Sequence, residues 1–255
     1  PTRRSSDLRI FFLSFLGFIF AFFLSFKFIY GQSSSSKTDN EYQTFLYRLV
    51  DINQHSQFYL SMLNQNRDSL NLSSNNNLLQ ALKDLQQSRA LAIESYFIYL
   101  RSELAKTTKI LEYQDNLAYV YLDNYQTEAR KFSEEIYGLT DWKEIKQKSL
   151  RYEENYLSGR KLAYRAIGLI NYKKFMDFLS SVLTLAEEET LPEEENLVSQ
   201  ITLIKKDVQA QQRIFLASVD RNSDSRAILR GYNQFLSQKK DEVALLLKKT
   251  TNVLN

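Results

Sequence analysis

Cysteine is missing altogether from this 255-residue chain, and histidine and tryptophan occur once each. Without cysteine there is no disulfide, no thiolate nucleophile and no cysteine-based metal site. The absence does not by itself identify a compartment. The lone His55 cannot furnish the two Glu-x-x-His motifs of a ferritin-like di-iron centre, a histidine-rich zinc site or an HExxH helix. Ser56 lies beside it, but no nucleophile elbow or oxyanion glycine motif surrounds the pair. A single histidine in a helix is more often a surface or partly buried polar residue than a catalyst. Neither GxxxxGK followed by Ser or Thr nor GxGxxG occurs, which excludes nucleotide binding through those loops. No cofactor is therefore expected, no metal site, and no enzymatic activity.

Proline (two) and glycine (six) are too scarce for a turn-rich β fold. Long stretches without either breaker point to helices, so the chain is expected to be all-α. A large excess of one charge is missing too. Thirty-three Lys and Arg against 30 Asp and Glu give a net charge of +3, a balance that attracts nucleic acid only weakly. What is abundant is tyrosine (16) and phenylalanine (17), with lysine and asparagine, residues that AT-rich codons also favour.

The opening octapeptide, PTRRSSDL, back-translates one way as CCT ACA CGA CGC TCT TCC GAT CTN. That is the 3′ end of a common short-read sequencing adapter. Residues 1–8 are expected to be translated adapter on an assembled contig, the alternative being a native basic leader. Without Arg3, Arg4 and Asp7 the net charge falls from +3 to +2.

Residues 10–26, IFFLSFLGFIFAFFLSF, carry no charge and run on through Lys27 to Tyr30. As a helix, residues 10–30 would be about 31 Å long, enough to span a bilayer core. Arg9 stands at one end. Lys27 can snorkel at the other, and Tyr30 suits the interface. A retained signal-anchor is expected over a signal peptide cut near YGQSSSS, where Gly31 and Ser33 have the small-residue spacing. Both place the body outside the cytoplasm, membrane-anchored or secreted. A third topology, with a cytoplasmic body, stays open because only Arg9, Lys27 and Lys37 bear on orientation. Residues 31–40 have the composition of a polar linker.

Residues 41–252 then read as helix after helix. Thr38 with Glu41 has a capping-box pattern before a stripe of Phe45, Leu49, Ile52, Ser56, Tyr59 and Leu63. This helix is expected to end near Leu70, with the polar NLSSNNN (71–77) as a loop. A second helix, from about Leu78 to Leu111, has the seam Ala90, Ile93, Phe97, Leu100, Leu104 and Leu111. After a break at YQDN (113–116), Ala118, Tyr121, Tyr125, Ala129, Phe132 and Ile136 form the third stripe, with Gly138 as a C-terminal cap.

Asp141 and Glu144 have the N-cap and N3 spacing of a fourth helix, whose stripe runs from Trp142 and Ile145 to Gly159, Ala163, Ala166 and Ile170. Its small residues allow close approach of a partner. The phase slips at Asn171–Lys174, which predicts a kink. Thr190 and Pro192 begin the fifth, with Leu197, Ile201, Ile204, Val208 and Phe215 as its seam. DRNSDS (220–225) precedes a last helix carrying Ile228, Tyr232, Phe235, Val243 and Leu246. No helix after residue 30 is apolar all round, so no second membrane span is expected. The stripes must bury against each other, giving an elongated antiparallel bundle or coiled-coil hairpins.

Six glutamates flank one turn: Glu187, Glu188, Glu189, Glu193, Glu194 and Glu195. Those at the helix start suit the dipole, and those at the preceding helix end do not, so the cluster is expected to be solvated, the alternatives being a basic partner or a cation such as Ca²⁺. Tyr113, Tyr119, Tyr121, Tyr125, Tyr137, Tyr152, Tyr156, Tyr164 and Tyr172 crowd the middle, and core packing accounts for them better than a stacking site. Paired lysines are interleaved with acids and read as solvated faces. NLS at 71–73 is a glycosylation acceptor that matters only in a eukaryotic secretory host.

These readings converge on a non-enzymatic helical body at the cell envelope with a structural or protein-interaction role. Its expected partners are the bilayer, through residues 10–30, and another protein or a second copy, through helical faces. The alternative is a sensory module resembling the four-helix periplasmic domains of chemoreceptors, followed by a return span and output domain beyond residue 255.

Overall fold

The chain divides into two units, residues 1–35 and 36–255. A computed structural model describes residues 36–65, 72–106, 113–188, 194–221 and 224–252. The adapter reading of 1–8, the membrane segment with Arg9, Lys27 and Tyr30, and the linker as far as Ser35 lie outside the described residues. Among the described residues, regular structure is helical throughout. The helices are α1 (Ser36–Gln65), α2 (Leu72–Ala105), α3 (Tyr113–Gly138), α4 (Trp142–Glu188), α5 (Glu194–Arg221) and α6 (Ser225–Asn252). The all-α expectation holds. None of these helices is long and apolar enough to cross a membrane.

Side-chain contacts give the direction of each neighbour. Tyr42 and Phe45 of α1 meet Tyr99 and Tyr96 of α2, with ring centroids 5.3 and 5.1 Å apart. Arg130, Tyr125 and Asp123 of α3 meet Glu94, Phe97 and Arg101 of α2. Glu135, Phe132 and Tyr125 of α3 meet Lys148, Tyr152 and Gly159 of α4. Gly168 and Tyr172 of α4 meet Phe215 and Gln209 of α5, and Phe215 and Asp207 meet Tyr232 and Lys239 of α6. Every consecutive pair is antiparallel.

α4 belongs to two packing groups. Its first half lies against α2 and α3, through Tyr152 on Phe132 and Tyr156 beside Phe97. Its second half lies against α5 and α6, through Gly168 under Phe215 and Asn171 bonded to Asn233 at 2.9 Å. Where the groups meet, burial goes all round: Ala163, Tyr164, Ala166, Ile167, Leu169, Ile170, Asn171 and Tyr172 are each 8% exposed or less. This explains the phase slip at Asn171–Lys174. The helix is continuous there, and the apolar stripe changes face because the partners change. The slip records a hand-over between groups inside one unbroken helix.

Caps and seams follow local chemistry. The Asp141 carboxylate accepts a hydrogen bond from the Lys143 N–H at 3.2 Å, as its spacing predicts. Asp224 does the same for Ala227 at 3.0 Å and starts α6 after the break at DRNSDS. In α5, Leu197, Ile201, Ile204, Val208 and Phe215 are all buried. In α2, Ala90, Ile93, Phe97, Leu100 and Leu104 are buried, each large apolar side chain contributing roughly 1.5–3 kcal/mol of transfer free energy.

Other boundaries and faces differ from the sequence reading. α1 starts at Ser36, so Thr38 lies inside it and residues 36–40 are helix rather than linker. Most of NLSSNNN is helical, since α2 begins at Leu72. Asn and Ser cost only a few tenths of a kcal/mol each relative to good helix formers, and the anchored run from Leu78 carries them. α2 stops at Ala105, with the Lys106 N–H closing a turn onto Glu103 O at 3.2 Å, short of Leu111. YQDN opens α3 instead of breaking the chain. Gly138 is the last residue of α3 and needs no left-handed backbone, so it is not the cap expected of it. The Thr190 and Pro192 readings lie outside the described residues.

In α3, Leu122 (0% exposed) takes the core position assigned to Tyr121 (51%). In α6, Leu229 and Leu236 are buried in place of their neighbours Ile228 and Phe235. Adjacent apolar residues lie 100° apart on a helix, and the partner's position decides which one turns inward.

Candidate functional site

Three helices pack around α2: α1, α3 and α4. A helix so surrounded must bury polar residues as well as apolar ones, and α2 buries Lys83, Gln86, Ser88, Glu94, Ser95 and Glu103. Each has a partner, because an unpaired polar group taken out of water costs several kcal/mol. The Lys83 ammonium donates to the Tyr137 carbonyl at 3.1 Å, placing a cation at the C-terminus of α3, where the helix dipole favours it. Asp84 beside it accepts from the Tyr137 hydroxyl at 2.5 Å. Ser88 and Ser95 bond back to the carbonyls of Leu85 and Leu91. Gln86 accepts from Arg89 at 3.3 Å.

Two buried carboxylates brace α2 to its neighbours. Glu94 receives the Arg130 guanidinium of α3 at 2.6 and 2.8 Å. Glu103 receives Lys106 at 2.8 Å and Lys174 of α4 at 3.1 Å. Burial alone would raise the Glu103 carboxyl. The hydrogen bond from Lys106 and the charge of Lys174 outweigh it and hold the group below its ordinary 4.5.

Between α2, α3 and α4 lies a tyrosine-rich interior. The Tyr152 ring is stacked flat on Phe132, with centroids 4.3 Å apart. The Tyr152 hydroxyl and the Ser149 hydroxyl one turn earlier are both buried without a hydrogen-bond partner. Burial pushes the Tyr152 hydroxyl far up, and the nearby Tyr156 adds to this against the Arg89 charge. Tyr156 is raised by burial as well. Near neutral pH these hydroxyls hold their protons, so they offer a hydrogen bond rather than a base or a nucleophile. Burial lowers the Arg89 guanidinium, with Glu153 and the two tyrosines opposing.

The residues singled out in the sequence scatter in space. Glu187 and Glu188 close α4, and Glu194 and Glu195 open the antiparallel α5, so these four sit at one end of a helix hairpin; Glu189 and Glu193 lie outside the described residues. His55 is half-buried on α1. Tyr164 and Tyr172 are buried, Tyr119, Tyr125, Tyr152 and Tyr156 are half-buried, and Tyr121 and Tyr137 are exposed. Tyr119 lies under the Arg101 guanidinium at 4.3 Å. Among the described residues no cluster of three or more His, Asp or Glu is placed to hold a metal ion.

One surface was missed. Behind its buried stripe, α1 has a second row at alternating spacings of three and four: Gln43, Tyr47, Val50, Gln54, Gln57 and Ser61, all exposed. Tyr47 is 70% exposed, Val50 53% and the flanking Phe58 50%. No exposed residue of α1 between 40 and 65 is charged. Among its residues 40–65 the charged groups are Glu41, Arg48 and Asp51, none of them in this row, and Arg48 pairs with Asp51 at 3.3 Å with both side chains about two-fifths exposed. α6, by contrast, exposes Arg230, Lys240, Asp241, Glu242, Lys248 and Lys249. The signal was available as a second heptad phase, most of whose residues are polar.

No known family model, curated protein or solved structure matches this chain.

Proposed function

We propose that this chain is a non-enzymatic helical body, membrane-anchored or secreted, with a structural or protein-interaction role at the cell envelope. In this reading the membrane segment is residues 10–30 and the body is an elongated antiparallel bundle held outside the cytoplasm. The observation that carries it is the use of polar side chains. Glu94–Arg130, Glu103–Lys174 and Lys83 on the end of α3 bind helix to helix, while apolar and aromatic side chains stand exposed on α1. A fold that braces its interior and leaves apolar side chains on its outer helix is suited to holding shape and meeting a partner. The acidic turn at 187–195 offers a second contact, for a basic partner.

The test is protease added outside intact cells that express the full chain. Degradation of residues 38–255 from outside is expected. Complete protection, with cleavage only after lysis, overturns the extracytoplasmic placement. The sensory alternative draws support from the unpartnered Tyr152 and Ser149 hydroxyls in the interior of α2, α3 and α4. It requires that a small polar ligand raise the melting temperature of the wild type and not of Tyr152→Phe.

A further inference from the structure

We propose that the outward row of α1 pairs two copies of this chain, parallel and in register. The proposal rests on the interaction role above and names its partner. Among the described side chains this row presents no charge, so it suits a partner that gains nothing from charge. A lipid surface fits poorly. No Lys or Arg stands in the row to meet headgroups, and the amides of Gln43, Gln54 and Gln57 would lose water without finding partners in acyl chains. A charged protein surface would be desolvated with nothing to pair to it.

Amides differ from charged groups in one decisive respect. Each side-chain amide has both donors and an acceptor, so it can hydrogen-bond its own copy, whereas a carboxylate or ammonium repels its copy. A twofold interface places a surface against itself. A face made of glutamine amides with Tyr47 and Val50 is thus complementary to itself in both hydrogen bonding and apolar contact.

Register follows from the same matching. In a parallel pair Tyr47 meets Tyr47, Val50 meets Val50 and Gln54 meets Gln54. In an antiparallel pair about the middle of the row, Val50 would face Gln54 and Tyr47 would face Gln57. The spacing is that of a heptad seam, with Tyr47 and Gln54 at one core position and Val50 and Gln57 at the other. A polar residue in such a seam fixes register at a cost in stability. Gln54 has that place here, since an amide set against valine would lose its hydrogen bonds to water and gain none. The pair is accordingly reversible.

The chain has no cysteine, so a single introduced thiol reports on one position only. Full-length Val50→Cys in detergent micelles, oxidised with copper phenanthroline, is expected to run mostly as a disulfide-linked homodimer. Leu203→Cys, at a position 61% exposed on α5, is expected to stay monomeric. Val50→Glu is expected to weaken self-association in sedimentation at least tenfold with helicity unchanged. Val50→Cys that cross-links no better than Leu203→Cys overturns the pairing. So does a Val50→Cys and Gln54→Cys mixture that forms only the mixed disulfide, the antiparallel signature. A cross-link to a protein of different mass also overturns self-pairing but leaves the interaction role standing. Failure of the role itself shows separately, as complete protection from external protease.

Discussion

Replacing Gly168 with alanine should destabilise this protein, although alanine is the better helix former. Gly168 lies inside α4, where an ordinary Gly→Ala change stabilises by about 1 kcal/mol. A Cβ there would come inside 3.0 Å of the Phe215 ring, closer than real Cβ atoms approach anything. The ring cannot swing clear. Phe215 is 2% exposed and is stacked on Tyr232 with centroids 4.5 Å apart. Overpacking a filled core costs about 1–3 kcal/mol and occasionally more. With the upper end of that range set against the propensity gain, the net loss is about 2 kcal/mol. In a chain of this size that lowers Tm by roughly 4–8 °C.

Gly231 supplies the internal standard. It lies inside α6 with nothing within 4 Å of its virtual Cβ, so Gly231→Ala should gain about 1 kcal/mol. Gly159 faces the half-buried Tyr125 ring at 2.9 Å. That ring can yield, so Gly159→Ala should fall between the two. Urea and thermal unfolding followed by circular dichroism give all three values. The ordering Gly231→Ala, Gly159→Ala, Gly168→Ala, from most to least stable, is the expected result. A Gly168→Ala variant more stable than wild type would refute the packing of α4 on α5. Phe215→Leu in the Gly168→Ala background should recover part of the loss, the mark of direct coupling.

Asp224→Ala, which removes the acceptor for the Ala227 N–H, should cost about 1 kcal/mol in urea melts, and Asp224→Asn much less. The depressed carboxyl of Glu103 contributes stability that is fully present above its ordinary 4.5 and is lost as pH falls through its lower folded value. Glu103→Gln should therefore cost roughly 1–3 kcal/mol at pH 7 and flatten that part of the acid limb, as read from melts between pH 2 and 7. Tyr152→Phe removes a buried hydroxyl with no partner, so it should be neutral or stabilising by up to about 1 kcal/mol. A loss beyond about 1 kcal/mol would show that the hydroxyl already has a partner, which removes the support the sensory alternative draws from it.

Helical class and the seams of α2 and α5 were legible because a narrow stripe of aliphatic residues has one way to bury. Ile201, Ile204 and Val208 needed no knowledge of their neighbours. Faces were misread where two apolar residues adjoin, as at Tyr121 and Leu122 or Phe235 and Leu236. There a tyrosine or phenylalanine can rest at the boundary while the aliphatic neighbour fills the gap. The extension of α2 through Leu72–Asn77 was hidden because Asn and Ser are weak rather than forbidden in helices. The slip at Asn171–Lys174 was legible, but its partners were not, since one chain of residues does not show that two packing groups share a helix. The braces from Lys83, Glu94 and Glu103 were invisible for the same reason. They join positions tens of residues apart, and each half alone resembles an ordinary surface charge.

A helix common to two packing groups makes its own residue count a geometric parameter. Each residue of α4 advances the chain about 1.5 Å and turns it 100°. One residue inserted between Gly159 and Ala163, after the contacts to α3 and before those to α5 and α6, would leave the composition of α4 nearly unchanged. It would nonetheless carry α5 and α6 through more than a quarter turn about the axis of α4, relative to α2 and α3. Point substitutions along α4 can be absorbed one at a time by repacking. Single-residue insertions and deletions cannot, and α4 should tolerate length changes only as seven residues, which restore the facing to within about 20°.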